Sequence, residues 1–165
     1  MKRLFAAALL LMAFAAHAAD GFSLELGEGD REVSLLRVCV HSYYQLQKLE
    51  PHNMHVLLEA SLGYWSTDEG PIYDIAMTPV FRYARSRNSG PYLEAAIGLH
   101  FLSDTHIKPD VTLSTHFQFG DHIGVGVRRD KYDVGIRLQH LSNAGLRNPN
   151  PGINFVLLRL AYELR

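Results

Sequence analysis

The sequence predicts an all-β protein, an eight-stranded antiparallel transmembrane β-barrel of the outer-membrane type. Three observations predict it. The chain begins with an export signal, and the remainder divides into eight segments in which apolar and polar residues alternate. The polar row of these segments carries small residues and charges of both signs, as expected for side chains that crowd a narrow lumen.

Residues 1–18 are predicted to be a secretory signal peptide. Lys2 and Arg3 precede an apolar run over 4–15, and Ala16-His17-Ala18 matches a small-residue cleavage site. The apolar run is too short to cross a bilayer as a helix, which needs roughly 20 residues. Cleavage after Ala18 removes 18 of the 165 residues and leaves 147, enough for a single domain over 19–165.

The eight alternating segments fill the mature chain, and helical periodicity is almost absent from it. The breaks between segments carry residues typical of turns, such as Asp68-Glu69-Gly70-Pro71 and Asn148-Pro149-Asn150-Pro151-Gly152. The segment lengths suit strands tilted through a bilayer, which need roughly 9–11 residues each. We predict strands over 21–29, 32–46, 53–66, 72–86, 91–103, 112–129, 131–143 and 153–164.

The alternation by itself allows two architectures. In a soluble barrel the apolar rows point inward around a ligand or a packed core, whereas in a membrane barrel they face lipid and the charges pair inside the lumen. We favour the membrane barrel because a water-facing row is usually rich in lysine, and the mature chain has only Lys48, Lys108 and Lys131. Four aromatic residues are predicted to lie at the membrane interface: Tyr43, Tyr44, Tyr64 and Trp65.

Composition excludes several classes of function. After cleavage the chain carries 14 basic and 17 acidic residues without a basic cluster, so no nucleic-acid partner is predicted. Cys39 is the sole cysteine, so no internal disulfide can form. The nine histidines show no metal-ligand spacing, and no nucleotide-binding motif is present. We therefore predict neither a metal site nor a cofactor.

The apolar row of segment 131–143 continues at its end into His140 and Ser142. Side chains two residues apart in a strand share a face, roughly 6.5 Å apart at the backbone, so an imidazole can lean along the strand towards a hydroxyl. That contact is the base–nucleophile pair of acyl transfer, and polar groups at membrane depth are commonly functional. On this pattern alone, solvated positions above the membrane edge explain the pair equally well.

The stretches HLSNAGLRNPNPG and FQFGDHIGVGVR closely resemble the lipid A 3-O-deacylase (PagL, acyloxyacyl hydrolase) family. The family signature looks like H-x-S-N-A-x-x-x-x-P-N-x-G. Every fixed position of it is matched in this sequence, by His140, Ser142, Asn143, Ala144, Pro149, Asn150 and Gly152.

The resemblance implies an outer-membrane serine esterase that removes the 3-O-linked hydroxyacyl chain from lipid A of lipopolysaccharide, with no cofactor. It implies that Ser142 is the nucleophile and His140 the base, and that Asn143 helps to bind the oxyanion. The active site would lie at the outer end of its strand and face the outer leaflet, where the ester-bearing sugar sits. Lipid A and the outer membrane are the implied partners, and a homodimer remains an open possibility.

One position departs from the family. The family glutamate falls fourteen residues after the histidine, and Asn154 stands there in this chain. Its amide oxygen can still accept a hydrogen bond from the imidazole, as asparagine does in Cys-His-Asn sites. Asp121, across the tight turn at 129–131, is a second candidate for the acid, and the sequence leaves both open.

Because the family glutamate is missing, the sequence leaves two other functions open. One is a non-catalytic small outer-membrane barrel that retains the fold and has lost catalysis. The other is a soluble periplasmic ligand-binding barrel with its apolar rows inside.

Overall fold

A computed structural model describes residues 19–44, 46 and 49–164. The predicted signal peptide, 1–18, lies outside the described residues. The described chain forms a closed antiparallel barrel of eight strands, which confirms the predicted fold. A 3-10 turn at Glu50–His52 and a small hairpin, β6 (His106–Lys108) and β7 (Val111–Thr112), complete the structure. The barrel strands are β1 (Gly21–Gly29), β2 (Val33–Tyr44), β3 (Met54–Ser66), β4 (Ile72–Tyr83), β5 (Ser89–Leu102), β8 (Phe117–Arg129), β9 (Tyr132–Ser142) and β10 (Ile153–Glu163).

Each barrel strand pairs with its neighbour in sequence, and β1 closes the barrel by pairing with β10 over Gly21↔Glu163 to Gly29↔Phe155. We call the end that carries the connections 30–32, 67–71, 103–116 and 143–152 the upper end. The other connections lie at the lower end. Within the described ranges, no helix is long and apolar enough to cross a membrane.

The apolar rows point away from the barrel axis. Leu93, Ile123 and Leu138 are 57%, 62% and 53% exposed, although such side chains are normally buried in a soluble protein. A contiguous apolar surface around a whole barrel is expected to face lipid, because water would drive it to aggregate. The hypothesis of a soluble ligand-binding barrel, which requires the apolar rows to point into the lumen, is therefore wrong.

Aromatic side chains lie on the outside of the barrel near both ends. Tyr64 packs edge-on against Tyr73 near the upper end, and Tyr132 does the same against Tyr162 near the lower end. Such girdles are typical of barrels that cross a bilayer, because amphipathic rings prefer the headgroup level.

The prediction that four aromatics lie at the interface is wrong for Tyr43 and Trp65, which point into the lumen, and it stays a prediction for Tyr44 and Tyr64. Tyr44 and Tyr64 are exposed on the outside, whereas Trp65 is fully buried in the lumen and Tyr43 is partly buried there. The reason is the period of two, because adjacent residues of a strand must face opposite sides of the sheet.

The middle of the lumen is filled by paired charges rather than by an apolar core. Arg137 is the centre of this network and donates hydrogen bonds to Glu25, Glu59 and Glu94. Arg82 bridges Glu94 and Asp133 at 2.8 and 2.7 Å. Buried charges are tolerated where partners of opposite sign satisfy them, and here strands from different sides of the lumen supply both signs.

An apolar cluster closes the upper lumen, and a long connection contributes to it. The expected strand over 112–129 begins only at Phe117, because 103–116 folds over the barrel mouth. Ile107 and Leu113 of this connection are fully buried against Trp65 and Phe155 in that cluster. Burial of these side chains under the barrel mouth overrides the local alternation that predicted a longer strand.

Candidate active site

The seventh barrel strand, β9, places His140 and Ser142 on the outer face at the upper end. Leu141 between them is fully buried in the lumen, while His140 and Ser142 are half-buried. The register sets His140 opposite Asp121 of β8 on one side and opposite Asn154 of β10 on the other. Both candidates for the missing acid therefore flank the same imidazole.

Only Asn154 makes a hydrogen bond with that imidazole. The His140 Nδ1 and Asn154 Oδ1 atoms are 2.7 Å apart. Asp121 is exposed and makes no hydrogen bond or ion pair with any residue that the structure describes.

A neighbouring carboxylate fixes the orientation of the Asn154 amide. Asp30, in the turn between β1 and β2, accepts a hydrogen bond from Asn154 Nδ2 at 2.5 Å. Because an ionised carboxylate can only accept, the amide nitrogen must face Asp30 and the amide oxygen must face His140. His140 then donates from Nδ1, which leaves the lone pair of Nε2 available as a base.

Gly152 provides the space for the other edge of the imidazole. A Cβ atom at this position would lie 2.6 Å from His140 Cε1 and 3.1 Å from Nε2. The backbone φ of Gly152 is +62°, a region that also favours glycine. The Cε1–Nε2 edge therefore lies against Gly152, the residue that precedes β10.

The expected contact between His140 and Ser142 is not formed in this structure. Among the described residues, the Ser142 hydroxyl has no hydrogen-bond partner. On the adjacent strand β8, the residue paired with Ser142 is Phe119. Its ring packs edge-on against that of Phe117, with the ring centroids 5.0 Å apart. The hydroxyl is thus free of competing polar contacts with the residues that the structure describes.

Asn143 organises the connection 143–152 from inside. Its side chain is fully buried, and Nδ2 donates to the carbonyl oxygens of Leu113 and Arg147 at 3.2 and 2.8 Å. Its Oδ1 accepts from the Gly145 N–H at 2.9 Å. Both amide hydrogens are engaged, so this geometry gives Asn143 a structural role and does not support donation from its side chain to an oxyanion.

A groove of about 670 Å³ runs along the outer surface beside His140. The polar residues His140, Asn154 and Asp121 line it together with the apolar side chains of Ile123, Leu138 and Val156. A polar end above an apolar wall suits an amphipathic substrate with a hydrocarbon chain.

The turn that carries Asp30 is held from two sides. Arg31 Nε donates to the carbonyl oxygen of Gly152 at 3.3 Å, and the Lys108 ammonium donates to the carboxylate of Glu32. This hydrogen bond from Lys108 holds the pKa of Glu32 below its ordinary value.

The chain is similar to known proteins both in sequence and in fold. Residues 40–163 match the family model described as lipid A 3-O-deacylase (PagL). A lipid A deacylase PagL from Bordetella bronchiseptica is 32% identical over 98% of this chain and 96% of that protein. The chain belongs to the lipid A 3-O-deacylase family. A second relative with the same name, from Pseudomonas aeruginosa, is 38% identical over 58% of this chain and 57% of its own.

Solved structures agree with this assignment. The crystal structure of the outer membrane enzyme PagL superposes with a TM-score of 0.74 at 26% identity, covering 87% of this chain and 99% of the other. A de novo designed transmembrane β-barrel, 13% identical, covers 89% of this chain and 96% of its own with a TM-score of 0.52, and this likeness concerns the fold alone.

Sequence reasoning identified the residues around His140 but missed Asp30. This residue lies 124 positions from Asn154 in the chain, and the pairing of the first and last strands brings the two together. A signal was present, because Asp30 follows Glu28 in the outward row of the first strand and a closed barrel must pair that strand with the last one.

Proposed function

We propose that this protein is an outer-membrane serine esterase that hydrolyses the 3-O-linked hydroxyacyl ester of lipid A. The observation that carries the proposal is an imidazole on the membrane-facing surface that is oriented by Asn154, two residues before a serine whose hydroxyl has no partner in the described part of the chain. Membership of the lipid A 3-O-deacylase family supports the substrate.

The reaction would proceed through an acyl-enzyme. The Ser142 Oγ attacks the ester carbonyl carbon while His140 Nε2 takes the hydroxyl proton, giving a tetrahedral intermediate. The bond from this carbon to the sugar oxygen breaks, and the imidazolium returns the proton to that oxygen. Water, deprotonated by His140, then attacks the acyl-enzyme and releases the fatty acid and Ser142.

The contact between Ser142 and His140 is expected to tighten when substrate binds. Catalytic hydrogen bonds are often long in a free enzyme and shorten in the substrate complex. The ester carbonyl, seated at the polar end of the groove, would exclude water from the space between the two side chains. Asn143 would act indirectly, by holding the connection 143–152 in place beside Ser142.

The upper end of the barrel is proposed to face the cell exterior. Outer-membrane barrels generally have longer connections outside than on the periplasmic side, and the connections 103–116 and 143–152 belong to the upper end. His140 would then lie at the level of the outer leaflet, where the sugar esters of lipid A meet its acyl chains.

Mass spectrometry of lipid A tests the proposal. Gram-negative cells that make hydroxyacylated lipid A should lose one hydroxyacyl chain per molecule when they express the wild-type protein. The Ser142→Ala variant, assembled to the same level, should leave lipid A intact. Intact lipid A beside a correctly assembled wild-type barrel would overturn the proposal and favour the non-catalytic barrel that Asn154 in place of glutamate suggests.

A further inference from the structure

We propose that Asp30 is a positioning residue that supplies the carboxylate missing from position 154 and acts on His140 through the amide of Asn154. The inference rests on the proposed esterase function. It assigns the negative charge of the site to the turn between β1 and β2, at the opposite end of the sequence from the catalytic pair.

Asp30 binds Asn154 through three hydrogen bonds. The Asn154 backbone N–H donates to Asp30 Oδ1 at 2.9 Å, and the side-chain Nδ2 donates to Oδ2. In return, the Asp30 backbone N–H donates to the Asn154 carbonyl oxygen at 2.8 Å. One carboxylate therefore fixes both the backbone and the side chain of the residue that contacts His140.

This arrangement removes the main weakness of an exposed asparagine as a histidine partner. An amide that is free to rotate presents nitrogen or oxygen to the imidazole with similar ease, and the nitrogen would favour the wrong tautomer. Asp30 excludes that orientation because a flipped amide would set its oxygen against Asp30 Oδ2, two acceptors with no donor between them. Its charge also polarises the amide, so that Oδ1 is a stronger acceptor for the imidazolium that forms during the reaction.

The turn that presents Asp30 has an unusual backbone. Arg31 has φ of +126° and Glu32 has φ of +59°, although neither residue is glycine. Residues in such conformations persist where their surroundings hold them, and they often occur at functional sites. Here the contact from Arg31 to the Gly152 carbonyl and the contact from Lys108 to Glu32 hold the turn against the site.

Other charged groups near His140 are placed differently. Asp121 faces the imidazole from β8 without a hydrogen bond. Glu28, on the outward row of β1, accepts hydrogen bonds from Ser34 at 2.9 and 3.0 Å. Arg31 Nε lies 4.0 Å from Asp30 Oδ1, too far to withdraw the carboxylate from Asn154.

Exchanging the side chains of Asp30 and Asn154 tests whether Asp30 acts on His140 through Asn154. Asp30→Asn should lower kcat about 10- to 100-fold with little change in KM, because the charge acts on the transition state and not on ground-state binding. The acidic limb of the profile of kcat/KM against pH should move to lower pH. The double variant Asp30→Asn/Asn154→Asp should recover activity to within about threefold of wild type, because the carboxylate then contacts His140 directly and the new amide donates to it.

The single variant Asn154→Asp completes the cycle. It places two carboxylates face to face, so they repel each other unless one holds a proton. Its activity at neutral pH should therefore lie below that of the double variant. A purely structural Asp30 predicts that the exchange restores activity by restoring the hydrogen bonds, but that Asp30→Asn does not move the pH profile of the residual activity.

The controls separate failure of this inference from failure of the proposed function. Glu69→Gln removes an exposed carboxylate from another connection at the same end and should leave activity and the pH profile unchanged. Assembly of each variant is checked by its heat-dependent electrophoretic mobility. Full activity of an assembled Asp30→Asn barrel, or no rescue by the assembled double variant, overturns the inference when the wild type is active and Ser142→Ala is not. An inactive wild type overturns the proposed function instead.

Discussion

The two faces of β9 carry polar residues of opposite character. On the inner face, Arg137 is only 2% exposed and donates hydrogen bonds to three carboxylates. On the outer face, His140 is half-buried, has one partner, and keeps Nε2 unengaged, while Ser142 has none among the described residues. The same strand thus supports a closed network on one side and an open site on the other.

The difference follows from what each face can exchange with its surroundings. A charge in the lumen is shielded from bulk water, so its partners must come from inside the barrel when the barrel closes. A polar group at the outer surface can be satisfied later by water or by substrate. An unpaired polar atom on the outer face is therefore accessible to substrate, whereas the unpaired polar atoms of the lumen, such as Ser23 Oγ and Arg159 Nε, are not.

The largest expected change is in stability, when the ion-pair network on the inner face is broken. Arg137→Met leaves the carboxylates of Glu25, Glu59 and Glu94 short of a partner and should lower the free energy of unfolding by about 3–5 kcal/mol. Denaturant unfolding of the barrel in detergent micelles measures this change. Ser142→Ala, as the outer-face counterpart, should abolish deacylation and leave the unfolding midpoint where it is. Equal stability of Arg137→Met and wild type would mean that the lumen charges are not structural.

A large effect on catalysis is expected from filling the space beside His140. Gly152→Ala puts a Cβ atom 2.6 Å from His140 Cε1 and should reduce kcat about 100-fold, because the imidazole must leave its present position. Gly70→Ala is the matched control, since its φ is +116° and nothing lies within 4 Å of the added Cβ. Similar losses in the two variants would attribute the effect to backbone strain rather than to the clash.

A smaller effect separates the two candidates beside His140. Asn154→Ala removes the acceptor at Nδ1 and should lower kcat about 10- to 100-fold, whereas Asp121→Asn should change it less than about threefold. Steady-state deacylation in mixed micelles measures both. The opposite order of effects would move the orienting role to Asp121.

The smallest effect is expected at the turn 30–32. The Lys108 hydrogen bond lowers the pKa of Glu32, so its stabilisation is present above the unfolded pKa of this carboxyl and is lost as the pH falls through the folded value. Both groups lie at the surface, where such pairs are weak and screened by salt. Amide exchange in the turn, corrected for its intrinsic rate, should rise in the wild type on acidification. Lys108→Gln should show the faster exchange already at neutral pH, and an unchanged rate would mean that this pair does not hold the turn.

The sequence predicted most of the barrel because alternation with a period of two is a local property. The strand over 153–164 is found at Ile153–Glu163 and the strand over 21–29 at Gly21–Gly29. The prediction was wrong over 112–116, where the connection 103–116 buries Leu113 under the barrel mouth. A buried residue of a connection and an outward residue of a strand are equally apolar, so the pattern could not separate them.

The sequence by itself determined the eight strands, the family, and the presence of a histidine and a serine on one apolar row. Those features depend on residues that are close together in the sequence, because strand periodicity and the family signature are both local patterns. Only the tertiary structure decided that the apolar rows face outward, that Asn154 rather than Asp121 bonds His140, and that Asp30 bonds Asn154. The physical reason is closure of the barrel, which joins its first and last strands in a fixed register and brings side chains 124 residues apart into hydrogen-bond contact.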